Sequence, residues 1–320
     1  MNDFKKISNK ISQITLGGLK EKDNIVWTNI IDAGDDEINF LQSNYDFNLS
    51  HLEASAATVF SQRPMIAREK KYFFIILHFP VLINGKIIAG EIEFFISHGY
   101  LITVHNNNVP ALIDFFSNCS NDKEYLNNYN IKSSIILLYD LLNCLINDCY
   151  KLIDNTSLDI NRVEDLIFSK KSNAATNLIL NLRRNIINLR KILQNHKHIL
   201  GELTEVKSGL ISQSEIKTHY NNLVDHSDRI WTMLDNQKEM IEALNNTNQS
   251  LLDNEMSKVM KTLTIFSVIV FPLTLLATMF SMSVPGIPFA NNPHAFWIVS
   301  LIIGGLGVIM LLFFVRKRWL

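Results

Sequence analysis

Residues 262–315 contain no Asp, Glu, Lys or Arg. No other feature of the chain restricts its fold as strongly. Two apolar blocks lie inside this stretch, 262–280 and 295–315. Each is roughly 20 residues, or about 30 Å of helix, which matches the hydrocarbon core of a bilayer. The link between them, 281–294, holds three prolines, a glycine and the pair Asn291-Asn292, so it continues neither helix. Two uncharged spans of this length rarely share one soluble hairpin, and the expectation is a pair of transmembrane helices. Lys258 and Lys261 precede the first span, and Arg316, Lys317 and Arg318 follow the second. The link carries no Lys or Arg, so the positive-inside rule places both termini in the cytoplasm. Trp297 and Trp319 fall near the two ends of the second span, as interfacial aromatics do.

The polar residues of the first span are not scattered. At about 100° per residue, Ser257, Met260, Thr264, Ser267, Phe271, Thr274, Thr278 and Ser281 fall within roughly one third of the helix circumference. Thr262 is the one hydroxyl residue well outside this sector. A hydroxyl stripe along a membrane helix suits a wet surface. The same stripe also arises when Ser and Thr bond back to carbonyls one turn earlier, or across a helix interface. One chain with two spans encloses no pore. A pore lined by this stripe therefore needs several copies around an axis, with this helix innermost. Continued backwards at a period of 3.5, the stripe reaches Asp253, Ser250, Asn246 and Glu239. Repeated around an axis, these form acidic and amide rings that concentrate cations; on a solvated helix face they are ordinary surface residues.

The rest of the chain is long enough for a sizeable soluble part. Its net charge of −1 gives no reason to expect a nucleic-acid partner. Cys119, Cys144 and Cys149 have neither disulfide-framework nor zinc-finger spacing, and Cys144 and Cys149 read as core residues of a helix. The first 22 residues are polar, with no signal peptide pattern, so the first span is expected to direct insertion. From about 13 to 105 the chain reads as mixed α/β. Strand-like runs lie at 25–32, 71–79, 87–96 and 100–105, and helices at 35–44 and 49–60. Asn84-Gly85 between two of the strands is a hairpin turn.

From about residue 131 onward the chain is helical. Segment 131–153 is one apolar-rich helix. Segment 158–168 begins another, which 177–203 continues, and Gly201 to Gly209 marks a hairpin break. The run 214–280 contains no breaker before Pro272. It reads as one helix of about 65 residues, near 100 Å long. Its apolar register, Ile230, Met233, Leu234, Met240, Ile241, Leu244, Leu251, Leu252 and Val259, has near-heptad spacing. His196 and His198 point about 200° apart on a helix, a poor metal pair, and read as surface residues.

Met260-Lys261-Thr262-Leu263-Thr264, Phe271-Pro272-Leu273-Thr274, Phe280-Ser281-Met282-Ser283 and Gly286-Ile287-Pro288-Phe289 together resemble the CorA family of divalent-cation channels. The Gly-Ile-Pro-Phe loop leans towards its ZntB-like branch. Arg316 to Leu320 match the basic tail of that family, and Tyr220 with Asp225-His226 resembles a motif of its long helix. Trp27, Gln62-Arg63-Pro64 and the run 101–105 are weaker echoes of its head. The family's Gly-Met-Asn signature reads Ser281-Met282-Ser283 here. An Asn that lines the cytoplasmic side of the family's pore reads Ser257.

The resemblance implies an α+β/α membrane protein: a cytoplasmic α/β head, a long helical stalk, two C-terminal transmembrane helices and a funnel-shaped oligomer. The expected divisions are 1–125 (head), 126–261 (stalk), 262–280 (first span), 281–294 (external loop), 295–315 (second span) and 316–320 (tail). It implies a homopentamer in the inner membrane that transports Mg²⁺, Co²⁺, Ni²⁺ or Zn²⁺, with lipid, its own copies and divalent cations as partners. Cytoplasmic metal bound between subunits would close the pore, at sites the sequence does not place. No tightly bound cofactor and no enzymatic activity are expected. Ser281, Met282 and Ser283 stand as selectivity filter, and Ser257, Met260, Leu263, Thr264, Ser267, Phe271, Thr274 and Thr278 as pore-lining. Met260 and Phe271 are the bulky members and form hydrophobic constrictions. Serine is shorter than Asn, so the ring is wider and less exacting. Gly304, Gly305 and Gly307 are expected to let the second span approach the first. The competing reading is a membrane-anchored sensor or scaffold with a degenerate, non-conducting pore, which the three serines favour.

Overall fold

The computed structural model describes residues 3–17, 24–56, 62–121, 133–169, 171–205, 213–282, 288 and 293–317. The chain forms two units, Met1–Leu244 and Asn245–Leu320.

The first unit is built on a seven-stranded sheet. Its strands are β1 (Asp3–Lys6), β2 (Ile11–Leu16), β3 (Ile25–Ile31), β4 (Met65–Arg68), β5 (Phe73–Ile83), β6 (Lys86–Ser97) and β7 (Tyr100–His105). They lie in the order β1-β2-β3-β7-β6-β5-β4. The β3–β7 pair is parallel and the other described pairs are antiparallel. In β5, Phe74 and Ile76 bury on one face and Ile75 and Leu77 on the other. A strand covered on both faces reads as a continuous apolar run, which is why it is legible in the sequence. Asn84 and Gly85 both have positive φ, 51° and 73°, the turn that the Asn-Gly pair predicts for β5–β6.

Helices α1 (Asp35–Asn44) and α2 (Leu49–Ala54) cover one face of the sheet through Leu41 and Leu52, packed with Phe74, Phe95 and Ile102. Helices α3 (Pro110–Asn121), α4 (Ser134–Phe168), α5 (Ser172–Leu193) and α6 (His196–Leu203) contribute to the other core. There Trp27 is fully buried, edge-on to Phe116 at 4.8 Å. Helix α7 (Gln213–Ser281) is a single helix of 69 residues containing Pro272. Its early turns bury Ile216, Tyr220, Leu223, Ile230 and Leu234 in the same core.

Several elements differ from the sequence reading. Strands β1, β2 and β4 and helix α3 escape it; β1 and β4 have four residues each, too short for a clear alternation. Helix α2 ends at Ala54, and residues 57–60 of the expected helix lie outside the described residues. The expected helices at 131–153 and 158–168 form one helix, α4. The polar junction does not break it, because Thr156 and Ser157 donate their hydroxyls to the carbonyls of Leu152 and Ile153, and Ile160, Val163 and Ile167 stay buried beyond it. The break falls instead after Phe168, and a second one at Gln194–Asn195 separates α5 from α6. His196 is buried rather than at the surface, because that break turns its Nε2 onto the carbonyl of His78 at 2.7 Å.

The second unit comprises α7 from Asn245 onward and α8 (Ala295–Arg316). No residue of α8 is buried. Both helices carry long windows that are apolar enough to cross a membrane. Apolar helices with uncovered surfaces belong in lipid or against other helices.

Candidate functional site

On the membrane part of α7 the covered side and the hydroxyl side are different. Ile265 is buried, and Ile269, Pro272, Leu273 and Leu276 are half-buried. Ser257, Met260, Leu263, Thr264, Phe271, Thr274, Thr278, Ser281 and Met282 are exposed, and Ser267 is half-buried. Apart from the half-buried Ser267, the described stripe residues are exposed, and helical spacing turns them away from the side carrying Ile265. Phe271 is 71% exposed, so its ring stands clear of the chain's own packing. Ser283, with the loop residues Gly286, Ile287 and Phe289, lies outside the described residues.

The hydroxyl groups have definite partners. Thr264 donates to the carbonyl of Met260 at 2.8 Å, Ser267 to Leu263 at 2.9 Å, Thr274 to Val270 at 2.9 Å and Thr278 to Leu275 at 2.8 Å. Thr262, off the stripe, donates to Lys258 in the same way at 3.0 Å. Pro272 has no N–H, so the carbonyl of Val268 receives no helical hydrogen bond from it. Helix α8 packs on α7 at one of its three glycines: a Cβ on Gly307 would meet Leu273 Cδ1 at 3.2 Å. Gly304 and Gly305 face open space, so the close approach expected of all three belongs to Gly307 alone within the chain.

Further back on α7, Asn246, Ser250 and Asp253 are exposed in the second unit, and Glu239 is exposed in the first. Ser250 donates to the carbonyl of Asn246, and Asp253 accepts from Gln249. A third of the predicted apolar seam is uncovered as well: Met240, Leu251 and Val259 are exposed, Met233, Leu244 and Leu252 are half-buried, and Ile230, Leu234 and Ile241 are buried.

In the first unit, polar groups form two networks, one buried and one half-buried, that the sequence reading missed. Trp27 Nε1 donates to Thr103 Oγ1 at 3.1 Å, and Thr103 donates to Asn29 Oδ1 at 2.7 Å. His105 Nε2 also donates to Asn29 Oδ1, and its Nδ1 accepts from the Asn107 N–H. These partners fix a neutral imidazole, and burial lowers its pKa to about 4. The second network joins His78 Nε2 to Glu91 Oε2 at 2.9 Å, with Glu93 two residues along the same strand. Burial first, then its contact with Glu91, pushes the Glu93 carboxyl well above the usual range. A cleft of about 300 Å³ between α3 and α4 is lined by Asp114, Asp140, Asp148, Asn118, Asn143 and Asn147. Burial raises Asp140 there to about 7, while Asp148 pairs with Lys151 at 3.0 Å. Among the described residues, no three His, Cys, Asp or Glu side chains converge to hold a metal ion.

A mixed sheet between helices, a 69-residue helix ending in an uncharged stretch, and an exposed hydroxyl face on that stretch describe a chain with two candidate membrane spans at its C-terminal end. The chain belongs to the family described as CorA-like Mg²⁺ transporter protein, which it matches over residues 22–318. It is 26% identical over 189 residues to the cobalt/magnesium transport protein CorA of Thermotoga maritima, a match spanning 59% of this chain and about half (54%) of that protein. It is 21% identical over 296 residues to the CorA of Methanocaldococcus jannaschii, spanning 92% of each. The solved structure of the complete CorA magnesium transporter from Methanocaldococcus jannaschii superposes with a TM-score of 0.83 at 19% identity, covering all of this chain and 98% of that one.

Proposed function

We propose that this protein carries divalent metal cations across the cell's inner membrane, through a pore lined by α7 in a homopentamer, with both termini in the cytoplasm. The observation that carries this reading is the exposed hydroxyl face of α7, opposite the side covered within the chain. Family membership supports the transport, and the basic residues flanking the spans support the orientation. Divalent ions shed their water at great cost, Mg²⁺ most reluctantly, so the ion passes with its water shell and meets hydroxyls and carbonyls.

Ser281, Met282 and Ser283 receive it at the outer mouth. Met260, Leu263 and Phe271 narrow the path and gate it by dewetting. Glu239, Asn246, Ser250 and Asp253 form rings on the cytoplasmic side. The cation is substrate and regulator, not a resident cofactor. Lipid and further copies of the chain are the partners; nucleic acid is not one, and no reaction is catalysed.

The test is uptake of Mg²⁺, Co²⁺, Ni²⁺ and Zn²⁺ into proteoliposomes, with and without an imposed pH gradient. Flux of any of these ions, abolished by Thr274→Trp, is the expected result. Absence of flux from folded, oligomeric protein overturns the reading and favours a non-conducting scaffold. If the serines act as a relaxed filter, Ser281→Gly with Ser283→Asn sharpens the preference for Mg²⁺. An unchanged ion ranking removes them from that role.

A further inference from the structure

We infer that Thr264, Ser267, Thr274 and Thr278 form the element that discriminates the sign of the permeating charge, as a wall of hydrogen-bond acceptors; this rests on the pore reading above. A hydroxyl owns one hydrogen and two lone pairs. In all four residues the hydrogen is committed to a backbone carbonyl within the same helix, at 2.8–2.9 Å. Only lone pairs then remain for whatever faces the stripe. Ser257 and Ser281, at the two ends, are different: among the described residues their hydroxyls make no hydrogen bond. They turn freely and serve as donor or acceptor. The interior of the stripe is therefore fixed in polarity and its ends are not.

A hydrated cation orients its waters with oxygen inward and presents a shell of O–H hydrogens. In a hydrated anion each shell water turns one O–H inward, so its shell presents lone pairs together with a single remaining O–H per water. An acceptor-only wall bonds the cation's shell through both O–H groups of each water, and leaves the lone pairs of the anion's shell without a donor. The span contains no carboxylate to do this by charge, and the nearest charged residues before it, Lys258 and Lys261, are cations. Discrimination by fixed lone pairs needs no charged group in the bilayer, where one is expensive. It also recognises the water shell rather than the bare ion, so it selects for charge sign and leaves the choice among divalent metals to other positions.

The experiment uses full-length protein in liposomes and two sets of variants. One removes the hydroxyls at nearly constant shape: Thr264→Val, Ser267→Ala, Thr274→Val and Thr278→Val together. The other retains them: Thr264→Ser, Ser267→Thr, Thr274→Ser and Thr278→Ser. Dye-reported Mg²⁺ uptake and the reversal potential in a MgCl₂ gradient are both read, after size exclusion confirms the oligomer.

The retaining set is expected to keep uptake within about twofold and the wild-type reversal potential. The removing set is expected to lose uptake by about tenfold or more, with the residual current shifted towards the chloride potential, as lost acceptor bonds to the shell predict. Thr274→Val alone shifts in the same direction. Uptake within twofold in the removing set overturns the inference. Lost uptake with an unmoved reversal potential also overturns it, because the hydroxyls would then only wet the path. A silent wild type, in contrast, fails the transport reading itself and this inference with it.

Discussion

Tyr220 donates its hydroxyl hydrogen to the carbonyl oxygen of Ile135 at 2.8 Å, joining the start of α7 to the first turn of α4. The side chain is fully buried. Further along the same two helices Tyr150 meets His226 Nδ1 at 3.1 Å, and Gln237 Nε2 donates to the Ile153 carbonyl at 2.7 Å and to Ser157 Oγ at 2.8 Å. Both sets of positions increase together, so α4 and α7 run parallel, held by polar rungs within an apolar seam. Ile135 sits inside α4, where its carbonyl also serves the helix. Tyr220→Phe therefore leaves no orphaned acceptor and costs about 1 kcal/mol, the net worth of one hydrogen bond. Tyr220→Ala opens a ring-sized void and costs about 3–5 kcal/mol. Thermal melts of purified protein should order wild type, Tyr220→Phe and Tyr220→Ala in that sequence. If the two variants melt together, the ring is not what Tyr220 contributes.

Glu93 makes the first unit sensitive to alkali. Its folded carboxyl titrates well above the ordinary value, mainly through burial. The unfolded chain releases this proton near pH 4.5, whereas the folded chain retains it. Stability is therefore full below that pH and declines as pH rises towards the folded value. Glu93→Gln keeps the shape and removes the proton. The melting difference between variant and wild type should be near zero at pH 4.5 and grow in favour of the variant up to pH 8. A difference that is flat with pH would show that Glu93 ionises freely in the folded protein.

His105 and His196 act in the opposite direction. Burial holds both near pKa 4, against an unfolded value near 6.5. The unfolded chain binds these protons first, so stability is full above pH 6.5 and falls between there and pH 4. Both imidazoles donate from Nε2 to an oxygen, Asn29 Oδ1 and the His78 carbonyl. Gln at position 196 can make a similar donation without titrating. His196→Gln should flatten part of the acid limb of a stability–pH curve. An acid limb with unchanged slope would place the sensitivity elsewhere.

These groups show where the sequence stopped being readable. The extent of α7 was plain, because nothing in 214–280 except Pro272 opposes a helix. The central strands were plain because Phe74 to Leu77 bury on both faces. The direction of the stripe was also legible, since 3.6-residue spacing alone assigns Thr264, Ser267, Phe271 and Thr274 to one side. What those hydroxyls do with their hydrogens was not, because a side-chain rotamer decides between a carbonyl four residues back and the open face. The burial of His196 depends on a carbonyl 118 residues away. The union of 131–153 with 158–168 depends on Thr156 and Ser157 satisfying themselves within the helix. Neither long-range contact nor rotamer choice leaves a periodic trace.

Among the described residues, Gly307 gives the hairpin its one close contact between spans that involves a glycine. A methyl group there would stand 3.2 Å from Leu273 Cδ1, a few tenths of an ångström too close, whereas at Gly304 and Gly305 it would meet nothing within 4 Å. Leu273 sits beside Pro272, where α7 lacks one hydrogen bond and has less resistance to bending. Gly307→Ala is met by a small side-chain adjustment and should change the thermal midpoint of detergent-solubilised protein little. Gly307→Val adds branched bulk that Leu273 cannot avoid by rotation alone, so α8 is pushed off α7 at a cost of about 1–3 kcal/mol. Gly304→Val and Gly305→Val should be tolerated within the single chain. If either disrupts the purified oligomer without unfolding the protomer, that glycine faces a neighbouring copy. Melting and size exclusion read on all four variants separate the contact within the chain from contacts between chains. Equal damage at 304, 305 and 307 would refute the assignment of the span-to-span contact to Gly307.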